Sequence, residues 1–381
     1  MKGNNVIYFS SDEWDSGLKT SQYHIAIRLS RENKVLYINS IGLRKPKASR
    51  SDLTRIINKL KKYLKGAQRI NSNLFVFTPI VIPFHGIKCI DAINTILLTL
   101  FIRYYQVKLK LYKPYLLTFL PNIVDILGRF GERKIIYYCA DEITSFRGVA
   151  TEKIEEMESR LLEKADHVIV TSKQLYEHKR RFKPTVLYLP HGVDVKLFNK
   201  ALKAETEVPL DIKKLKKPII GFWGHISNDW LDFGLIRSLA LRYPEWTILL
   251  IGKVDADIPD LSEYKNVVIL GPRDYQMLPN YAKAFSVAII PFIDSTLTRN
   301  SNPLKLKEYL AAGCPVVSTP IPEVMSYANV IKIAYNKEEF TKAIEDYINN
   351  DSEENRIARS RCMEKEDWEY KFENFIKEIE S

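Results

Sequence analysis

What most limits the folds open to this chain is a rhythm. Short apolar runs rich in Val, Ile, Leu, Tyr and Phe recur at 6–9, 35–38, 115–119, 134–139, 167–171 and 185–189. Runs so short, bounded by polar residues and breakers, read as buried strands rather than helices. Between them lie segments with helical spacing, at 20–31 and at 151–165, where Ile154, Met157, Leu161 and Leu162 fall on one face. Strands separated by helices pair in parallel, so the expected fold class is α/β and doubly wound. Further runs at 218–223, 247–252, 267–270, 287–291 and 315–319 repeat the pattern. They follow a polar, lysine-rich segment at 200–217, flanked by prolines, that reads as a linker. The 381 residues suffice for two domains with full cores. In open parallel sheets ligands gather beyond the carboxyl ends of strands, so the loop with Asp15, Ser16 and Gly17 is expected to face a cleft. It has no G-x-G-x-x-G pattern, which counts against a nicotinamide enzyme.

The densest chemistry lies in NSNPLKLKEYLAAGCPVVSTPIPEV, at 300–324. Pro303 suits the first turn of a helix, where its missing N–H would have no partner. Lys305 and Glu308 then share one face near the positive end of that helix. Gly313 ends it, Pro315 forbids its continuation, and 315–319 reads as an interior strand. One ammonium, several amides and one carboxylate are thereby gathered, a set that a nucleotide diphosphate with its ribose would satisfy. A solvated helix face with a weak ion pair is the plain alternative.

Charge is unevenly placed. The net +11 resolves into +15 for residues 1–190, with 32 Lys and Arg against 17 Asp and Glu, and −4 for the rest. Arg44 to Arg69 holds ten basic residues and one acid, Asp52. Apolar Leu53, Ile56, Ile57, Leu60 and Leu64 recur there at helical spacing, and 87–110 is a second amphipathic candidate ending in Arg103, Tyr104, Tyr105, Lys108 and Lys110. Both helices fit an anionic membrane surface, and both fit ordinary core packing with a solvated basic face. Zinc-finger spacing and an aromatic RNA-binding signature are missing, so nucleic acid is disfavoured. The four cysteines show no paired spacing, which gives no support to a metal site or disulfide framework. The start has no signal-peptide pattern, and the most apolar run, 92–102, is too short to span a bilayer. The expected location is cytoplasmic.

The run through Pro303, Lys305, Glu308, Tyr309, Leu310, Ala311, Gly313, Pro315, Val316 and Val317 resembles the donor-binding segment of the GT-B glycosyltransferases, particularly bacterial glycosyltransferase family 4-like enzymes. Pro190-His191-Gly192-Val193-Asp194, followed by Phe198, resembles their short interdomain signature. Gly221-Phe222-Trp223-Gly224-His225 resembles the first loop of their second domain, and Gly271-Pro272-Arg273 with Met277-Leu278-Pro279 their nucleotide-base region. The resemblance implies two Rossmann-like domains facing a cleft. These are an acceptor domain at 1–199, the linker at 200–217, a donor domain at 218–360, and a helix at 361–381 returning to the first domain. It implies donor-binding roles for Gly224, His225, Arg273, Asn302, Pro303, Leu304, Lys305 and Glu308. Lys305 and the amides of 302–304 would neutralise a departing diphosphate, and Glu308 would bond the ribose.

The implied reaction moves a sugar from a nucleotide diphosphate, UDP type, to a hydroxyl of a glycan or lipid-linked acceptor in surface polysaccharide synthesis. Neither a cofactor nor a metal is expected, and attachment at the inner face of the cell membrane is. Retaining members carry two glutamates separated by seven residues; Glu308 matches the second, but Asn300 stands in place of the first. A related type, resembling exopolysaccharide glucuronosyltransferases, uses a first-domain Asp as base with a Lys in this helix. Asp141, at the carboxyl end of the 134–139 run, fits that inverting scheme with Lys305, where many family 4-like enzymes carry a His. A helix-capping role for Asp141 is the ordinary alternative. Two other functions share parts of the pattern: a GT-B-shaped sugar-nucleotide 2-epimerase, and a non-catalytic binder of anionic lipid or nucleic acid.

Overall fold

The structure, a computed structural model, describes residues 2–17, 19–42, 50–82, 88–146 and 150–380. Part of the basic stretch, 43–49, and the start of the 87–110 helix lie outside the described residues. The chain divides into two compact units. One runs to Leu189 and resumes at Phe372; the other is Pro190–Lys371.

The strands of the first unit are β1 (Asn5–Phe9), β2 (Lys34–Ile38), β3 (Gln68–Arg69), β4 (Leu74–Phe77), β5 (Tyr115–Thr118), β6 (Lys134–Cys139), β7 (His167–Val170) and β8 (Val186–Tyr188). They form one sheet in the order β3-β4-β2-β1-β5-β6-β7-β8, in which only the short β3 runs antiparallel to its neighbour. The chain leaves β1 for β2 on one side and later returns to place β5 on the other, with Val6 paired to both Val35 and Tyr115. The loops after β1 and β5 therefore diverge, which opens a crevice at the carboxyl edge. Side chains alternate across the sheet. Ile7, Phe9, Leu36, Ile38 and Tyr137 enter one apolar cluster. Tyr8 and Tyr37 stack on the opposite face at 5.1 Å, and Tyr138 there meets Phe375 of the terminal helix at 6.4 Å.

The second unit holds β9 (Ile219–Trp223), β10 (Thr247–Ile251), β11 (Val267–Leu270), β12 (Val287–Ile290), β13 (Val316–Ser318) and β14 (Lys332–Ile333). Their order is β11-β10-β9-β12-β13-β14, all parallel. Here the topology reverses between β9 and β12. Residues 200–217 belong to this unit, and Ile212 among them is buried.

The helix expected at 361–381 starts later: the end of the chain forms Glu353–Arg361, a 3-10 turn at Glu364–Glu366, and Trp368–Glu380. The break has a local cause: Asp367 accepts the Glu369 amide at 2.7 Å, while the Glu366 carbonyl and the Trp368 amide are drawn into pairing with Val193.

Candidate active site in the second unit

The reversal point of the second sheet is where its sequence chemistry converges. β9 ends at Trp223, and Gly224 follows with φ of 147°. A Cβ placed on Gly224 would lie 2.8 Å from the Lys305 Cε and 3.3 Å from its Nζ. A Cβ on Gly252, after β10, would lie 1.8 Å from the Gly224 carbonyl oxygen. Glycine at both positions lets two loop backbones touch and sets the Lys305 ammonium against the first of them. That ammonium is 4.6 Å from the Phe292 ring centre and 5.4 Å from that of Phe222, so aromatic faces from the ends of β12 and β9 hold it.

The helix carrying Lys305 is Leu304–Ala311. Pro303 occupies its N-cap, with ψ of 105°, rather than its first turn, so the helix starts one residue later than its sequence suggests. Glu308 is buried, and its Oε2 accepts the Trp223 indole N–H at 2.8 Å. The Trp223 amide donates to the Tyr309 hydroxyl at 2.8 Å, so β9 grips this helix at two successive residues. Burial pushes the Glu308 carboxyl up to about 6, against the opposing pull of hydrogen bonds from Trp223 and Tyr275 and of the Lys305 charge. Lys305 and Glu308 are thus brought together as expected, with Gly224 beside them. Asn302 is buried and donates to Glu323 at 3.2 Å, which anchors the loop entering the helix. Leu304 is half-buried at its start.

The remaining donor-side candidates are engaged elsewhere. His225 is exposed, with Nε2 at 2.8 Å from Asp255. Arg273 is bound by Asp211 at 3.0 Å and by the Tyr281 hydroxyl at 2.9 Å. Sequence reasoning missed Gly252 and Trp223 as site builders, and it missed Lys307. That lysine leaves the opposite side of the same helix and is 2% exposed. Its ammonium donates to the His191 carbonyl and, at 2.6 Å, to Glu366, which also binds Lys371 at 2.9 Å. Burial lowers its pKa to about 8, in spite of Glu366. His191 is buried here, its imidazole pushed down to about 3 by burial and the Lys307 charge, which suits a structural imidazole.

In the first unit, Asp15, Ser16 and Gly17 lie exposed in the loop after β1. The Asp15 carboxylate meets Lys62 at 2.6 Å. Asp141 is half-buried in a bend just past β6, where its carbonyl accepts the Cys139 thiol at 3.5 Å. The cap position of the following 3-10 turn, Ile143–Ser145, is taken by Glu142 instead. Behind this bend lies a charged cluster that sequence reasoning did not find. Lys179, 2% exposed, is 2.7 Å from Glu158 and 3.4 Å from Glu142, and Tyr137 donates to Glu158 at 2.7 Å. Burial pulls the Lys179 pKa down, but Cys139 and the two carboxylates outweigh it and raise it above its ordinary value. Among the described residues, no group of three or more His, Cys, Asp or Glu could hold a metal ion.

Comparison with known proteins agrees with this layout. The family described as Glycosyl transferases group 1 matches residues 217–350, which contain Gly224, Gly252, Lys305 and Glu308. A teichuronic acid biosynthesis glycosyltransferase of Bacillus subtilis (strain 168), named TuaH, is 27% identical over 278 residues, covering 68% of this chain and 69% of its own. Among solved structures, sucrose-phosphate synthase from Thermosynechococcus elongatus superposes with a TM-score of 0.71 at 16% identity, covering 99% of this chain and 98% of its own. HepE of Anabaena, in complex with UDP and glucose, does so with 0.64 at 13% identity, covering 99% of each chain. At such identities the structures speak for the fold alone, and the fold expected of two Rossmann-like domains is the one they share. Taken together, the family match over residues 217–350, the relative and the shared fold support a glycosyltransferase of the GT-B type.

Proposed function

We propose that the chain moves a sugar from a UDP-type nucleotide sugar to a hydroxyl of a glycan or lipid-linked acceptor, in the assembly of a bacterial surface polysaccharide at the inner face of the cell membrane. One observation carries the reading: an ammonium held by two aromatic rings against a glycine loop, with a buried carboxylate one helical turn further on. A diphosphate needs the first and a ribose diol the second. The biosynthetic class is suggested by the name of the relative TuaH, and UDP by its presence in the HepE structure.

In the reaction, an acceptor oxygen forms a bond to the anomeric carbon while the bond from that carbon to the diphosphate oxygen breaks, its electron pair leaving with the diphosphate. Lys305 and the amino end of its helix stabilise the departing charge without a metal. The acceptor proton passes to the Asp141 carboxylate in a single inverting displacement. Support for that choice is the neutral Asn300 where a retaining enzyme would carry the first of its two glutamates. Arg273 and His225 border the donor, and the loop with Asp15, Ser16 and Gly17 borders the acceptor.

The test is thermal stabilisation by UDP, GDP, dTDP and CMP and their sugars, on wild type and Lys305→Ala. The expected result is a shift for one nucleotide type that vanishes in the variant. No shift with any of them would sink the donor-site reading. Stereochemistry of the product, read by NMR, decides the inverting assignment.

A further inference from the structure

The helix Lys88–Lys108 is apolar on two sides. Leu98, Ile102 and Tyr105 face inward and are buried. Ile93, Ile96, Leu100, Tyr104 and Val107 recur at intervals of three and four, which sets them in one stripe on the opposite side. That stripe stands in solvent, with Leu100 58% and Val107 77% exposed. Beside it runs the helix Arg50–Leu64, joined to it by Tyr63 against the Phe101 ring at 5.2 Å. The Ala67 amide, just past that helix, donates to the Tyr105 hydroxyl at 3.0 Å. It adds exposed Ile57, Leu60 and Leu64. So many exposed apolar side chains on two neighbouring helices mark a contact surface.

The rim identifies the contact. Residues 57–69 contribute Lys59, Lys61, Lys62, Lys65 and Arg69 without an acid, and 92–113 contribute Arg103, Lys108, Lys110 and Lys113 without an acid. A symmetric pairing of two copies through this face would set cation against cation. A bilayer bearing anionic headgroups satisfies both the stripe and its rim. Among the described residues no helix is long and apolar enough to cross a membrane, so the contact lies along the surface.

We infer that the outward faces of these two helices form a docking surface for an anionic bilayer. The surface is tied to the proposed acceptor side: Lys62 lies 3.2 Å from Glu13 and 2.6 Å from Asp15, and Lys59 lies 3.4 Å from Glu13, both acids standing on the loop after β1. Resting on the proposed transfer, this makes the acceptor a lipid-linked one, met where the first unit touches the membrane.

The experiment is co-sedimentation of the full chain with vesicles of phosphatidylcholine, with and without phosphatidylglycerol. Binding is expected only to the anionic vesicles and is released by high salt. Ile96→Ser combined with Leu100→Ser should weaken it about tenfold or more, as should Lys61→Glu combined with Lys65→Glu. Circular dichroism and nucleotide stabilisation stay those of wild type in both. Wild type left in the supernatant, or a serine variant that sediments like wild type, overturns the inference. So does a wild-type dimer that the serine variant turns into a monomer, since a second copy would then cover the stripe. Nucleotide stabilisation is read on the same samples: its failure with vesicle binding intact sinks the transfer reading and leaves the docking surface standing.

Discussion

The two units carry similar sheets but build their carboxyl edges differently. In the second, the groups that would meet a ligand belong to the frame: Lys305 sits between rings at the ends of two strands, and Glu308 is bonded to the last residue of β9. In the first, the corresponding residues hang on loops. Asp15, Ser16 and Gly17 are exposed, and Asp141 sits in a bend, while the rigid charge of that unit, Lys179 with Glu158 and Glu142, lies behind the bend. A diphosphate and ribose present the same atoms in every turnover, which favours a prebuilt cradle. An acceptor is matched by adaptable loops on a rigid footing.

Four substitutions probe that contrast. Asp141→Asn should lower kcat by about 10²–10⁴ with nucleotide binding intact, read by steady-state kinetics and calorimetry; unchanged turnover would remove Asp141 from the chemistry. Lys179→Met leaves two buried carboxylates without their cation and should cost about 3–5 kcal/mol in denaturant unfolding. A loss near zero would mean the bend has no charged footing. Lys305→Ala should reduce kcat/KM by about 10²–10³, mostly through kcat, because charge on the diphosphate grows as it departs; an effect confined to KM would make Lys305 a ground-state binder.

Glu308→Gln should do least to the fold and in the opposite direction. Its folded pKa, about 6, lies above the unfolded value, so between roughly pH 4.5 and 6 the folded state holds the extra proton and stability falls as pH rises. The carboxylate therefore costs up to about 2 kcal/mol at neutral pH. The glutamine variant should be more stable than wild type at pH 7, equal to it below pH 4.5, and weaker for nucleotide. A variant less stable at pH 7 would show that the charge is not a burden on the fold.

What could be read in advance followed from contiguity. The helix with Lys305 and Glu308 was legible because its cap, helix, glycine corner at Gly313 and strand stand in one run. Its supports were not: Trp223 lies 85 residues from Glu308, and Gly252 matters only because another backbone passes within contact. Lys307 and Lys179 look like ordinary surface lysines in sequence, since nothing local reveals the distant carboxylates that let them be buried. Residues 74–77 also escaped notice as a strand, being only four residues long.

The joining of Val193 to Asp367, with the Lys307 ammonium bonded to both His191 and Glu366, has a consequence for modularity. The two ends of residues 190–371 lie side by side, so in chain terms the second unit is an insertion, a loop thrown out of the first and closed at its neck. Lys307 fastens that neck from within the insert. Such a segment is one that could be excised, recircularised or exchanged as a cassette without cutting the other unit's sheet.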